Sequence, residues 1–205
     1  MSTEPAVRGP SAAEATSSPR ERILATAAEL FYKQGIRAVG VDAIVEHAGT
    51  NKMTLYRHFS SKDELVAEYL RREAVAADKV WGELAARHPH DPLAQLRSWF
   101  RRMSEHVEAD ERRGCALANA AVELPEADHP ARAVIRDHKT AMRDRIIKLA
   151  RAAALTEPKM LADELFLLLE GARVTAQSVG REGFGARLVR MGEAMIAAHR
   201  AAEVS

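Results

Sequence analysis

Thr50-Asn-Lys-Met-Thr-Leu-Tyr-Arg-His-Phe-Ser-Ser-Lys-Asp-Glu-Leu65 combines two patterns that seldom share one short segment. Leu55, Phe59 and Leu65 recur at helical spacing, as a face packed on a core requires. Between them stand Lys52, Thr54, Tyr56, Arg57 and His58, a dense set of donors, with no acid from Thr50 to Lys62. A helix with one packed edge and one basic edge must meet something with the second.

Upstream, Ser18-Pro19-Arg20-Glu21 starts a helix, with Ser18 as cap and Pro19 at the first helical position. Ile23, Leu24, Ala27, Leu30 and Phe31 form its apolar stripe, and Gly35 stops it. A second short helix is expected from about Asp42 to Ala48, with Ile44, Val45 and Ala48 facing inward and Gly49 ending it. A third runs through Lys52 to His58, about three residues later. Ser61-Lys62-Asp63-Glu64 reads as a capping box for a fourth, longer helix toward Arg87.

The bulk composition limits what such a unit belongs to. The 205 residues are 47% hydrophobic and 29% charged, the mixture of a soluble domain with a real core. A net charge of +1 requires any nucleic-acid contact to come from local clustering. The single cysteine, Cys115, excludes an internal disulfide framework and fits a reducing, cytoplasmic setting. No apolar run approaches the roughly 20 residues of a membrane span. Residues 1–17 are rich in Ser, Ala, Pro and Gly and are expected to form a disordered tail, without the basic start and apolar centre of a signal peptide.

Beyond Arg87 the pattern stays helical, so the fold class is all-α, with about nine helices counted by apolar periodicity. Asp91-Pro92 opens a helix carrying Leu93, Leu96, Trp99, Phe100 and Met103. Arg113-Gly114-Cys115 leads into one with Ala116, Leu117, Ala120 and Leu124, ended by Pro125. His129-Pro130 begins the next, and Thr156-Glu157-Pro158 is expected to cap another that holds Leu165-Phe166-Leu167-Leu168-Leu169. A turn from Gly180 to Gly185 precedes the last helix, through Leu188, Met191, Met195 and Ile196. We place a three-helix N-terminal domain at 18–66 and a larger helical domain at 67–205, with the boundary inside the fourth helix.

Two short helices joined by a glycine turn make a helix-turn-helix, whose second helix presents Thr50, Asn51, Lys52, Met53, Thr54, Tyr56 and Arg57. His58 and Lys62 complete the basic stretch, with Lys62 placed for a flanking phosphate. A B-DNA major groove, about 12 Å wide, admits one helix, and these residue types serve both phosphate and base contacts. An ordinary three-helix packing unit with a solvated basic face is the plainer account. The coincidence of helix lengths, turn glycine, capping box and missing acids favours DNA.

Residues 19–66 resemble the DNA-binding domain of TetR-family transcriptional regulators. Leu30-Phe31-Tyr32-Lys33-Gln34-Gly35 matches the end of the family's first helix, and Val41-Asp42-Ala43-Ile44-Val45-Glu46-His47-Ala48-Gly49 its second. Asn51-Lys52-Met53-Thr54-Leu55-Tyr56-Arg57-His58-Phe59 matches the third, followed by Lys62-Asp63-Glu64-Leu65. The departures are Val45 for Ala, Asn51 for Ser and Met53 for Gly. The resemblance implies a repressor bound to double-stranded operator DNA, a small-molecule effector in the larger domain, and a homodimer through the last two helices. The apolar surplus from Leu161 to Val174 fits that dimer and equally fits burial within one chain.

For the effector, the candidates are Trp81, Trp99, Phe100, Met103, Leu117, Met142 and Phe166 as apolar walls, with His106, Asn119, Glu123 and His138 as polar points. The same residues also describe a plain helical core. A metal site at His106, Glu123, His129 and His138 has no i, i+4 histidine pair to support it, and Cys115 as a redox sensor needs an exposed, electropositive thiol. No cofactor, no metal and no catalytic residue is assigned, because phosphate loops and nucleophile elbows are missing. The alternative to a regulator is a helical ligand-binding or interaction protein without specific DNA binding.

Overall fold

Ser18 Oγ accepts a hydrogen bond from the Glu21 amide at 3.2 Å, so the helix predicted to begin there does begin there. In a computed structural model, which describes residues 18–109 and 113–200, this cap opens α1 (Pro19–Gln34). Gly35, at φ 94°, ends α1 with its N–H on the Phe31 carbonyl. Next come α2 (Val41–His47), α3 (Lys52–His58) and α4 (Lys62–Arg87). The second helix starts and stops one residue earlier than the apolar pattern suggested, with Ala48 as its terminal cap. Gly49 then takes φ 60°, a left-handed conformation that turns the chain into α3. The expected tail at 1–17 lies outside the described residues.

The division between two packed units falls inside α4, after Tyr69. In the first unit, α1, α2 and α3 contact one another pairwise. Ile23, Ala27, Ile44, Leu55, Leu65 and Val66 are essentially inaccessible to solvent. Ile36 and Val39, in the turn between α1 and α2, are buried as well. Each fully buried aliphatic side chain contributes on the order of 1.5–3 kcal/mol relative to exposure, so this handful suffices to order short helices.

The second unit contains α5 (Pro92–Glu108), α6 (Ala116–Glu123), α7 (Pro130–Ala152), α8 (Pro158–Val179) and α9 (Phe184–Ala198). Among the described residues the chain is helical throughout, with no strand. The closest packing is α9 on α5 and α7 on α8, around Leu96, Ile146, Leu161, Leu165, Leu169 and Ile196. Gly192 allows the first approach: a Cβ there would lie 2.6 Å from Phe100 Cδ1.

Two local expectations are corrected. Thr156 does not cap α8; its hydroxyl and amide both donate to the His199 carbonyl, at 3.0 and 2.7 Å. Ala154 and Glu157 adopt positive φ, 53° and 45°, and Glu157 occupies the cap position without a side-chain bond. Gly185 is not a turn residue, because α9 begins at Phe184 and Gly185 is buried against Ser104 and Glu108. Sequence marks a glycine; only packing shows whether it bends the chain or admits a neighbour.

Gly192→Ala is expected to destabilise the protein by about 1–3 kcal/mol, as overpacking at a closed contact does. Gly82→Ala, on α4 with nothing within 4 Å of the new methyl, should stabilise it by roughly 0.5–1 kcal/mol. Denaturant midpoints of the two variants check both signs.

Candidate nucleic-acid interface

The seven residues of α3 are divided between a sealed face and an open one. Leu55 is completely buried and Phe59 nearly so, while Met53 is 85% and Tyr56 50% exposed. Asn51, in extended backbone, accepts the Thr54 amide on Oδ1 at 2.9 Å and caps the helix. The Thr50 amide donates to the Val45 carbonyl at 2.9 Å, which locks the turn to the end of α2. Asn51, Lys52, Met53, Thr54, Tyr56 and Arg57 together line one open groove. Of the sequence-derived residues, those from Asn51 to Arg57 share this groove, and Thr50 lies in the turn before it.

The cations of this face are not equivalent. Arg57 is exposed, and no described residue pairs with it. Lys52 is held by Asp42, Nζ to Oδ1 at 2.7 Å, and the hydrogen bond and charge of Asp42 raise its pKa. Asp42 sits on α2, so the lack of acids within the Thr50–Lys62 stretch concealed this partner. Both groups are well solvated, which leaves the pair weak and easily exchanged.

Two of the expected DNA contacts are turned elsewhere. His58 is half-buried, and its Nε2 is enclosed without a hydrogen-bond partner. Lys62 donates to the Ile36 carbonyl at 2.7 Å, and its ammonium lies 5.9 Å from the centre of the Phe31 ring. It ties the start of α4 to the turn after α1 instead of extending outward as a flanking phosphate ligand. Sequence reading also missed Arg20, whose guanidinium covers the Phe59 ring at 5.1 Å and bonds Glu68 at 2.8 Å.

The effector candidates fall into separate groups. Trp99, Phe100, Leu117 and Met142 are buried, and Trp81 stacks on Trp99 with ring centres 5.2 Å apart. Met103 and Phe166 are half-buried beside the charged side chains of Arg173 and Lys139. His106 bonds the Arg102 carbonyl at 2.7 Å and lines an open groove of about 390 Å³ with Leu84, Arg87, Arg101 and Arg102. Asn119 donates to the Arg113 carbonyl at 2.7 Å, and Glu123 ends α6. His106, Glu123, His129 and His138 are not gathered: no three candidate ligands among the described residues are placed to hold a metal. Cys115 is half-buried with Lys139 Nζ 3.8 Å from its sulfur.

This architecture, one longer helix and two short ones with a basic second helix-turn-helix element, beside a larger helical unit, defines a class that comparison makes specific. Residues 23–69 match the profile of the family described as bacterial regulatory proteins, tetR family. The HTH-type transcriptional activator FasR of Mycolicibacterium smegmatis is 45% identical over 53 residues, 26% of this chain and 24% of that protein. The HTH-type transcriptional repressor KstR2 of Mycobacterium tuberculosis is 44% identical over 55 residues, 27% of this chain and 28% of that one. These matches span about a quarter of each relative's length. The crystal structure of a TetR-family transcriptional regulator from Streptomyces coelicolor superimposes with a TM-score of 0.82 at 27% identity, covering 88% of this chain and 95% of that one. Residues 23–69 are thus similar to the TetR-family DNA-binding domain, and the fold is similar to that of a TetR-family transcriptional regulator. The relatives are named as regulators of transcription, and none as an enzyme.

His138 supplies a test within the larger unit. Burial is the main cause that lowers its pKa below the usual 6.5, outweighing the Asp78 carboxylate 4.0 Å away. Below about pH 6.5 the unfolded chain binds this proton more readily than the native one, so stability falls as pH drops through that value. Replacing His138 with Gln should remove this part of the acid-side decline. The gap between wild-type and variant unfolding midpoints is expected to hold steady above about pH 7 and to narrow toward pH 5.5.

Proposed function

We propose that this protein is a DNA-binding transcriptional regulator, a ligand-responsive repressor released from a palindromic operator by a small-molecule effector. The observation that carries the reading is the asymmetry of α3: Leu55 and Phe59 seal one side, and Met53, Tyr56 and Arg57 stand open on the other. Arg57 is the primary cation for a phosphate or a guanine edge. Lys52 joins it by exchanging Asp42 for DNA. Asn51 and Thr54 bring amide and hydroxyl groups to the same groove wall, Thr50 holds the turn that precedes it, and His58 and Lys62 act from behind it as packing and bracing groups.

Reading a palindrome requires two copies. On α8, Met160, Leu167 and Val174 recur seven residues apart and are 54%, 71% and 65% exposed, and Met191 on the adjoining α9 is 49% exposed. Such a row on a soluble helix pair suits a second copy of the same surface. Two recognition helices then reach successive major grooves only about 34–36 Å apart, so a modest change in spacing abolishes the fit. The effector must bind the released form better than the DNA-bound form. The regulator works in the cytoplasm, in keeping with the absence of any membrane-length apolar helix among the described residues.

FasR is named an activator and KstR2 a repressor, so a head of this sequence type does not set the sign of regulation. Deleting the gene should raise transcription from the bound promoter; a fall would make the protein an activator.

Selection from a random DNA pool is expected to enrich a palindrome with wild-type protein and not with Arg57→Ala. On the selected site, Arg57→Ala should weaken binding by about tenfold or more, and Lys52→Ala by less because its charge is already shared with Asp42. The log–log salt slope of Lys52→Ala should fall by about one unit if the ammonium neutralises one phosphate. Enrichment that survives in Arg57→Ala would move the reading face away from α3, and no enrichment at all would favour an interaction protein.

A further inference from the structure

Three ionic side chains in the larger unit are matched unequally. Lys139 on α7 and Arg173 on α8 both donate to the same oxygen of Glu170, at 2.7 and 2.5 Å, and the three side chains are only 17%, 14% and 25% exposed. The group therefore holds two cations against one carboxylate. Withdrawing ions from water is unfavourable unless each is matched, so a purely structural pair would be neutral.

The second contact of each cation is poor. Lys139 Nζ has Cys115 Sγ at 3.8 Å, and Arg173 Nη2 has Met103 Sδ at 3.8 Å. Thiol and thioether sulfur are weak acceptors, so strong charged donors are left short of oxygen. Apolar surfaces lie alongside: the Phe166 ring centre is 5.3 Å from Lys139 Nζ. An open depression lined by Arg113, Ala176 and Gln177 begins one helical turn beyond Arg173. The neighbouring His138 also feels both cations, which favour its neutral form.

We propose that Lys139 and Arg173 hold the carboxylate of the effector, an organic acid whose apolar body lies against Met103 and Phe166. The ligand's oxygens replace the two sulfur contacts, and its negative charge balances the surplus cation. Arg173 offers a planar fork and Lys139 a movable point charge, a combination that selects a carboxylate over a neutral amide. The proposal rests on the effector reading above for its consequence, release from DNA, and not for binding itself.

The test uses full-length protein without DNA and two probes of the same tail, octanoate and octanamide, followed by calorimetric titration. Wild type is expected to prefer the acid by about tenfold or more, as loss of a charge-assisted contact implies. Lys139→Met should remove that preference while leaving the unliganded unfolding temperature unchanged or higher, since Glu170 and Arg173 remain as a neutral pair. Equal binding of acid and amide overturns the proposal. A clear loss of stability in unliganded Lys139→Met also overturns it, because the lysine would then be structural. Acid binding by a protein that enriches no operator would sink the repressor reading and leave this site standing.

Discussion

A helix of seven residues does not persist in water, because the entropy of nucleating it exceeds what so few hydrogen bonds return. The recognition element α3 exists through the burial of Leu55 and Phe59, which anchor it between α1 and α2. That constraint sets everything about the outer face. With Leu55 and Phe59 held inward, the geometry of 3.6 residues per turn leaves Met53, Tyr56 and Arg57 no direction except outward. The caps reinforce it from each end: Asn51 closes the start, and Ser61, accepting the Glu64 amide at 3.0 Å, begins the next helix. Lys62 contributes by bonding the Ile36 carbonyl, so a residue whose type suggests DNA contact instead stiffens the frame that presents the contacts.

In the larger unit the corresponding constraint is close helix approach. Gly192 and Gly185 let α9 settle on Phe100 and Ser104 of α5, and the clasp between Thr156 and His199 fastens the end of α9 to the start of α8. The large aromatics that sequence suggested as pocket walls are drawn into this packing. Trp99 and Phe100 are core residues, and the indole of Trp81 lies stacked on Trp99. What stays chemically unsettled is the half-buried group of Lys139, Glu170 and Arg173, whose charges do not cancel.

The two units differ in how charge is used. On α3 the ions are solvated and exchangeable, which suits a partner carrying a dense line of phosphates. Around Glu170 they are partly withdrawn from water, where each unmatched charge weighs more and a single small anion has a larger effect. The same chain therefore combines exposed, exchangeable cations on α3 with a half-buried group around Glu170 whose charges do not cancel.

Sequence alone determined the helices, most of their ends and the stretch that forms the interface, because apolar period, proline, glycine and cap residues act over one or two turns. Leu55 inward and Arg57 outward follow from a spacing of two residues on a helix. Tertiary structure decided which of those residues are available. Asp42 holds Lys52 across a turn, Ile36 holds Lys62 over 26 residues, and His58 turns its Nε2 inward. It also made Gly185 a packing residue, and it joined Lys139 to Glu170 over 31 residues. Contacts of this kind depend on how each helix is rotated about its axis. That rotation is set by the whole core at once and leaves no local mark in the chain.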